Sequence, residues 1–321
     1  MSTVLISALR SGSRLIGRWW FGPAPDWPRV RARAVAGTRF SRAPGEVTAT
    51  TGQLGGVPSE ILTPRGAPAD AAVLYLHGSG FVIGAPQMVR TLTGAIAAAM
   101  RTTVYALDYR LAPEHPHPAA VDDTMAAYRA LLAQGIPPER IAVAGDSAGG
   151  TLTLDLALRL RDEGLPAPAI LGLICPVLDY SADSEAFHCD PSREPLLTPD
   201  LMVQFMDAYL PGVPESRRRA LSPLYRDITG LPPIVLHSAG DDLLAGDARR
   251  LAALAAKSGA PLRHREYRGL WHVFHAMPMK PAREAVADFA AALTPALYGH
   301  RTGYRRADSP DERPAIARPD R

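Results

Sequence analysis

Short apolar runs recur along the chain, and stretches with helical spacing separate them. Stretches rich in alanine and leucine, such as AAVDDTMAAYRALLAQG, fill the intervals. This alternation is typical of an α/β fold with a mostly parallel central sheet and helices on both faces. Six runs predict buried strands: AVLYLH (72–77), TVYALD (103–108), IAVAG (141–145), ILGLICP (170–176), IVLHSA (234–239) and LRHREY (262–267).

Two regions interrupt this alternation, namely residues 1–45 and residues from about 181 to 221. We expect both to contribute to a small helical cap, the second as an insertion into a catalytic domain of residues 46–299. Residues 300–321 have no apolar period, so we expect a disordered tail.

The second region contains one clear helix signal. Thr198 is placed to cap a helix, and Pro199 suits its first position. One apolar face follows at helical spacing, formed by Leu201, Met202, Phe205, Met206 and Tyr209.

Composition limits the classes of function. The 321 residues are 47% hydrophobic and 21% charged, which is ordinary for a globular protein. The net charge is only +3 with interleaved signs, and the longest basic cluster is Arg217–Arg219, so we expect no nucleic-acid partner. Two cysteines allow no disulfide framework and no zinc spacing, which favours a reducing, cytoplasmic location. The oligomeric state is left open, and a homodimer is one option.

The N-terminal segment is amphipathic. Arg10, Arg14 and Arg18 interrupt its apolar residues, whereas an export signal needs an unbroken apolar run of roughly 7 to 15 residues. No run approaches the roughly 20 apolar residues of a membrane span, so we expect no stable membrane insertion. A helix lying on the protein itself is the preferred interpretation, and a helix lying on a membrane surface is the alternative.

The stretch GDSAGG (145–150) follows one predicted strand and opens an almost wholly apolar helix. In a sharp strand-to-helix turn around Ser147, the residues two before and two after approach each other, and Gly145 and Gly149 avoid the clash. Such a turn presents a nucleophilic serine at the carboxyl end of a sheet strand. A chance glycine-rich loop is the alternative, but the strand and helix that flank the motif favour the nucleophile elbow.

A nucleophilic serine needs a base and an acid that orients the base. In an α/β-hydrolase both follow the serine along the chain. His272 comes first after the last predicted strand, with His275 as the alternative. Asp241 comes first after the strand IVLHSA and is the preferred acid, with Asp242 as the alternative. Asp247 suits the cap of the next helix.

The developing oxyanion of such a reaction needs hydrogen-bond donors. The stretch YLHGSGF (75–81) ends a strand in a glycine loop, whose backbone can approach a ligand closely. We expect the amides of Gly78, Ser79 and Ala148 to be these donors. The loop carries neither a P-loop lysine nor the dinucleotide fingerprint, so phosphate binding is disfavoured.

The chain resembles the hormone-sensitive-lipase-like esterases of the α/β-hydrolase fold. The resemblance runs from about residue 60 to 295 through five ordered motifs: HGSGF (77–81), DYRLAPEHPHPAAVDD (108–123), GDSAGG (145–150), GDDLLAGDA (240–248) and GLWHVFH (269–275). It implies a triad of Ser147, Asp241 and His272. The family's HGGG loop matches His77 to Gly80, where Ser79 replaces a glycine.

The resemblance implies a serine carboxylesterase that acts on short or medium acyl esters under a helical cap, through an acyl-enzyme and without metal or organic cofactor. A small-molecule ester is the expected substrate. We expect Met202, Phe205, Met206 and Trp271 to line the acyl pocket, because methionine and aromatic side chains adapt to apolar ligands. The alternatives are a lactonase, or another acyl hydrolase or acyltransferase with the same triad. A ligand-binding protein on a hydrolase scaffold is disfavoured, because the candidate nucleophile and base are present.

Overall fold

The computed structural model describes residues 8–13, 25–181, 183–187 and 191–299. Within them the chain forms one eight-stranded sheet. The strands are β1 Val47–Leu54, β2 Val57–Pro64, β3 Ala72–Leu76, β4 Thr103–Leu107, β5 Ile141–Asp146, β6 Ile170–Ile174, β7 Ile234–Ala239 and β8 Leu262–Tyr267. The last six coincide with the six strands predicted from the sequence, which confirms the α/β interpretation.

The order of the strands across the sheet is β1-β2-β4-β3-β5-β6-β7-β8. Strands β3 to β8 run parallel, whereas β2 pairs antiparallel with both β1 and β4. Strand β5, which leads to Ser147, therefore lies inside the sheet, and β7 lies two strands away. Because the carboxyl ends of parallel strands share one edge, loops after β3, β5, β7 and β8 can converge there.

Helices connect and cover the strands. They are α1 Trp27–Gly37, α2 Pro86–Met100, α3 Ala119–Ala133, α4 Ala148–Asp162, α5 Pro199–Tyr209, α6 Glu215–Leu221, α7 Ala245–Ser258 and α8 Lys280–Tyr298. Residues 8–13 are also helical. Among the described residues, no helix combines the length and the apolar character that a membrane crossing requires.

Two apolar layers cover the two faces of the sheet. Strand β3 shows the division, because Leu74 and Leu76 join the layer that contains α3, α4 and α5. Val73 and Tyr75 join the opposite layer, with α2 and α8. This is the period-two alternation of a strand, and it explains why an inner strand such as β3 is apolar throughout.

The hairpin of β1 and β2 was not expected from the sequence. Strand β1 is exposed along most of its length, as is usual at a sheet edge, and its sequence VTATTGQL lacks an apolar run. Its pattern therefore resembled a loop. The hairpin belongs to the sheet through the pairing of β2 with β4.

Helix α5 begins as expected between β6 and β7. Thr198 is its N-cap and accepts a hydrogen bond from the amide of Leu201, and Pro199 is the first helical residue. The five residues of the predicted apolar face are all buried. The division into cap and catalytic domain stays a prediction. Most of the amphipathic N-terminal segment and the whole of residues 300–321 lie outside the described residues.

The prediction that Asp247 caps a helix is wrong. Helix α7 begins two residues earlier, after Leu244. The buried Asp247 carboxylate instead accepts the amides of Leu178 (2.7 Å) and Asp179 (3.0 Å), which follow β6. Asp247 therefore joins the first turn of α7 to the loop after β6.

Candidate active site

Ser147 stands on a sharp turn between β5 and α4. Its backbone has φ 51° and ψ −122°, in a region that L-residues seldom occupy. The glycines on either side are required, because a Cβ on Gly145 would lie 2.4 Å from the Gly149 carbonyl carbon. A Cβ on Gly149 would lie 1.8 Å from the Leu76 carbonyl oxygen. The geometry is that of the predicted nucleophile elbow.

His272 follows β8 in a turn and is hydrogen-bonded to an aspartate from the loop after β7. Its Nδ1 lies 2.9 Å from Oδ2 of Asp242. The other oxygen of Asp242 accepts the amide of Leu244 at 2.9 Å. The carboxylate is fully buried and held from both sides, so it can fix the orientation of the imidazole.

The prediction of Asp241 as the acid is contradicted by this geometry. The Asp241 carboxylate points to two arginines, with Oδ2 2.7 Å from Arg10 and Oδ1 2.7 Å from Arg193. The amide of Asp241 donates to the carbonyl of Leu270 at 2.9 Å. Adjacent residues of the turn project in different directions, and the second of them faces the imidazole.

The charges around His272 favour its protonated form. Burial alone would lower the pKa of the imidazole, but the Asp242 carboxylate opposes burial, and the pKa lies above its ordinary value. Glu194 and Asp146 act in the same direction as Asp242. A base in this setting accepts a proton readily while Asp242 stabilises the resulting imidazolium.

His275, the alternative base, does not line the cavity at Ser147 and instead contacts His237. Its Nε2 is 3.2 Å from Nδ1 of His237, and His237 in turn lies 3.3 Å from Asp288. Burial, and then the neighbouring His237 and His272, hold the pKa of His275 well below its ordinary value. The structure therefore favours His272 as the base.

The glycine loop after β3 approaches the serine. The amide of Gly78 faces the Asp146 carboxylate, which accepts a hydrogen bond from the Tyr75 hydroxyl at 2.9 Å. Gly78 does not line the cavity at Ser147, so the structure does not support it as an oxyanion donor. The next two residues, Ser79 and Gly80, line the cavity at Ser147 and both have positive φ, 79° and 67°.

Two further contacts brace this loop. Nδ1 of His77 lies 3.0 Å from the carbonyl of Gly78, and the Tyr109 hydroxyl donates to the carbonyl of His77 at 2.7 Å. The two rings stack with centroids 4.3 Å apart. Tyr109 belongs to the motif DYRLAPEHP, so this motif supports the loop rather than the chemistry.

A cavity of about 310 Å³ opens in front of Ser147. Ser147 and His272 both line it, and its remaining wall is almost wholly apolar. Met202, Phe205 and Met206 of α5 are part of the wall, as predicted. A Cβ on Gly80 would lie 2.3 Å from the Phe205 ring, so α5 packs directly on the glycine loop.

The prediction that Trp271 lines this cavity is wrong. Its ring is fully buried in the apolar layer that contains Phe289 of α8. The Arg10 guanidinium lies 5.3 Å from the centroid of the ring. Because Trp271 and His272 are neighbours in the chain and project differently, only His272 reaches the cavity.

Among the described residues, one group could offer three ligands to a metal ion. Ligand atoms of Cys175, Asp242 and His272 lie within 4.8 Å of one another. Asp242 and His272 are already hydrogen-bonded to each other, and the Cys175 thiol lies beside them. The arrangement therefore serves the orientation of the imidazole.

Glu194 was missed from the sequence. It is 3% exposed, and its Oε2 accepts the backbone amide of His272 at 2.9 Å. Burial, and then the nearby charge of Asp242, raise the pKa of Glu194 to about 7. No local pattern marks this glutamate, because its partner lies 78 residues further along the chain.

Comparisons with known proteins identify the family and the fold. Residues 73–276 match the profile of a family described by the α/β-hydrolase fold. The Mycobacterium tuberculosis protein LipR is 39% identical over 264 residues, which cover 82% of each chain. An acetyl-hydrolase of Streptomyces hygroscopicus is 37% identical over 252 residues, 75% of this chain and 84% of the relative.

A solved esterase structure from the bacterial hormone-sensitive lipase family superposes with a TM-score of 0.85 at 32% identity. The match covers 92% of this chain and all of the other. The ordered motifs, the sheet and these relatives lead to one assignment. The chain belongs to the α/β-hydrolase family, in its hormone-sensitive-lipase-like branch.

Proposed function

We propose that this protein is a serine carboxylesterase that cleaves short to medium acyl esters with Ser147, His272 and Asp242. The observation that carries the proposal is the apolar cavity that Ser147 and His272 both line, with Asp242 hydrogen-bonded to the far side of the imidazole. Family membership supports the esterase class, since the relatives include an acetyl-hydrolase and carboxylesterases.

The first half of the reaction forms an acyl-enzyme. Ser147 Oγ attacks the ester carbonyl carbon, and Nε2 of His272 takes the hydroxyl proton, because Nδ1 is engaged with Asp242. The alkoxide oxygen of the tetrahedral intermediate accepts hydrogen bonds from backbone amides. When the carbonyl re-forms, the bond to the alcohol breaks and His272 returns the proton to the leaving oxygen.

The second half repeats these steps with water. His272 removes a proton from a water molecule, which attacks the acyl carbon, and Ser147 leaves with the proton that His272 holds. Free acid and the original enzyme result. Asp242 keeps the imidazole in one tautomer and stabilises its protonated form in both halves.

We assign the oxyanion donors to the amides of Ser79, Gly80 and Ala148. Ser79 and Gly80 line the cavity beside Ser147, and Ala148 begins α4, where the helix dipole also favours negative charge. Ser79 has φ 79°, a backbone that glycine adopts more easily, so the serine retains the N–H at a small conformational cost.

The shape of the cavity supports an acyl group of limited length. A volume of about 310 Å³ lies at the lower end of the range for small-molecule sites. Its apolar wall suits a hydrocarbon chain, and the polar groups Ser79, Asp146, Ser147 and His272 are gathered where the carbonyl would lie. Such a site fits an acyl ester better than a charged or highly hydroxylated substrate.

The test is a set of p-nitrophenyl esters from acetate to laurate, together with lactones and anilides, on the wild type, Ser147→Ala and Ser258→Ala. We expect hydrolysis of acetate to hexanoate, a sharp decline at longer chains, and loss of activity in Ser147→Ala alone. A fluorophosphonate probe should label the wild type and Ser258→Ala but not Ser147→Ala. Undiminished turnover by Ser147→Ala, preferred cleavage of lactones or anilides, or a wild type that binds esters without cleaving them would overturn the proposal.

A further inference from the structure

Two consecutive residues ahead of α5, Arg193 and Glu194, contact both loops that carry the proposed acid and base. The pair lies in the predicted cap insertion, far in sequence from either loop. Glu194 accepts the backbone amide of His272 at 2.9 Å. Arg193 lies 2.7 Å from Asp241, the residue immediately before Asp242. The same short segment therefore contacts the backbone of the base and the side chain next to the acid.

The Glu194 contact is well defined. Oε1 of the same carboxylate accepts the amides of Leu196 at 2.7 Å and Leu197 at 3.3 Å, so three backbone N–H groups hold it. A buried carboxylate with such partners is fixed in place, because each hydrogen bond to a charged group is stronger than a neutral one. Leu196 and Leu197 both line the cavity. Glu194 therefore joins the cavity wall to the backbone of His272.

The Arg193 contact completes a second connection. The side chain of Asp241 is 2% exposed, and its two oxygens are taken by Arg193 and by Arg10 of the N-terminal helical segment. Arg10 also donates to the carbonyl of Gly269 at 2.9 Å, on the loop that leads to His272. A buried carboxylate paired with two guanidinium groups resists displacement, since the loss of either partner leaves charge in a low-dielectric site.

We propose that Glu194 is a positioning residue for His272, and that with Arg193 it makes the segment before α5 part of the catalytic centre. The inference rests on the proposed triad and adds a residue outside it. Glu194 fixes the backbone of the base and places a negative charge beside the imidazole. Arg193 fixes the acid loop through Asp241. Removal of this segment would loosen the base and the acid together.

The electrostatic part of the inference involves a defined set of groups. The carboxylates of Asp242, Glu194 and Asp146 face His272 and favour its protonated form, and His272 in turn lowers the pKa of the neighbouring His275. Glu194 faces Asp242 and His272, and Cys175 faces both acids. Arg10 and Arg193 are turned to Asp241. Loss of the Glu194 charge therefore lowers the pKa of His272 while Asp242 still orients it.

The experiment compares Glu194→Gln, Glu194→Asp and the control Glu284→Gln, which changes an exposed glutamate on α8. In Glu194→Gln, we expect the acid limb of the kcat/KM profile to move to lower pH by less than about one pH unit, because Glu194, with a pKa of about 7, is only partly ionised there. We also expect kcat to fall by about tenfold, with KM changed less than about threefold. In Glu194→Asp the charge remains but the reach is shorter, so kcat should fall without movement of the acid limb. Glu284→Gln should match the wild type.

A measurement without substrate separates this inference from the proposed function. An NMR titration of the His272 imidazole in wild type and Glu194→Gln reports the pKa directly, whatever the enzyme hydrolyses. An unchanged pKa of His272 in the variant would overturn the electrostatic role of Glu194 even if esterase activity is established. An unchanged kcat in both Glu194→Gln and Glu194→Asp would overturn its positioning role.

Arg193→Gln tests the second connection in a residue that is 66% exposed at its side chain, so folding should be retained. Arg10 still holds Asp241 in this variant. We expect kcat to fall by about two- to fivefold with KM unchanged. A kcat equal to that of the wild type would remove Arg193 from the proposal.

Discussion

Two cavities of this protein have about the same volume, 310 Å³, but differ in what surrounds their buried carboxylates. In the cavity at Ser147, Asp146 accepts a hydrogen bond from Tyr75, and the Asp242 carboxylate is hydrogen-bonded to His272. The second cavity lies beside α3, α4 and α6 and contains Asp155 together with Arg159 and Arg226. These arginines are already paired, Arg159 with Asp122 and Arg226 with Asp162.

The two cavities show that the effect of burying a carboxylate depends on the group that faces it. The charge of Asp242 stabilises the protonated imidazole of His272, so this buried carboxylate can assist proton transfer. Burial raises the pKa of Asp155 to about 7, and the charge of Arg226 opposes this only in part. Asp155 is 8% exposed, so its ionised form is poorly solvated. We therefore expect the first cavity to govern activity and the second to govern stability.

The largest expected effect concerns the acid. Asp242→Asn should lower kcat by about 10⁴-fold, because an amide cannot keep the imidazole in the required tautomer. Asp241→Asn should lower kcat by about tenfold or less, since Asp241 touches Arg10 and Arg193 rather than the imidazole. Steady-state kinetics with p-nitrophenyl butyrate would decide. The opposite order of the two effects would restore Asp241 as the acid.

The next effect concerns the stability of the second cavity. The folded protein keeps a proton on Asp155 up to about pH 7, whereas an unfolded chain releases it near pH 4. Stability therefore falls as pH rises through this window, and the full penalty is present above pH 7. Asparagine cannot ionise, so Asp155→Asn should be more stable than the wild type by about 1 to 4 kcal/mol at pH 8.

Urea unfolding at pH 8 and near pH 4 provides the measurement for Asp155→Asn. The difference in free energy of unfolding between variant and wild type should shrink towards zero at the lower pH. A difference that is equal at both values, or a variant that is less stable at pH 8, would show that Asp155 has a charge partner in solution.

A smaller effect concerns chain length in the catalytic cavity. Met202→Trp adds bulk to the cavity wall, so the ratio of kcat/KM for hexanoate to that for acetate should fall by about tenfold. Val203→Trp is the matched control, because Val203 is the next residue of α5 and is 45% exposed. Equal ratios in the two variants would mean that the acyl chain lies elsewhere.

The smallest effect completes the comparison. Asp155→Asn should leave kcat/KM within about twofold of the wild type, since substitutions away from a site seldom alter it. The assay is the same p-nitrophenyl butyrate hydrolysis, carried out where both proteins are fully folded. A larger loss would show that the two cavities are coupled.

The sequence by itself determined the parallel part of the sheet and the elbow. The inner strands β3, β5, β6 and β7 are buried throughout, so they were visible as largely apolar runs. The glycines around Ser147 were visible because the close approach of Gly149 to Leu76 leaves no room for a side chain. Helix α5 was visible because its cap and its apolar stripe are local signals.

The β1–β2 edge of the sheet could not be predicted from the sequence. Strand β1 is mostly exposed and pairs on one side only, so its sequence is not constrained to be apolar. The position of β1 in the sheet depends on β2, which pairs with β4 some 45 residues further along the chain. Pairing between segments so far apart cannot be predicted from a short sequence pattern.

Only the tertiary structure decided which neighbour in a turn faces the site. Asp241 and Asp242, Gly78 and Ser79, and Trp271 and His272 are adjacent pairs in which one member faces the site and the other has a different partner. Residue type and spacing are nearly the same for both members of a pair. The choice depends on the direction of the backbone and on distant groups such as Arg10 and Glu194, which only the folded chain brings together.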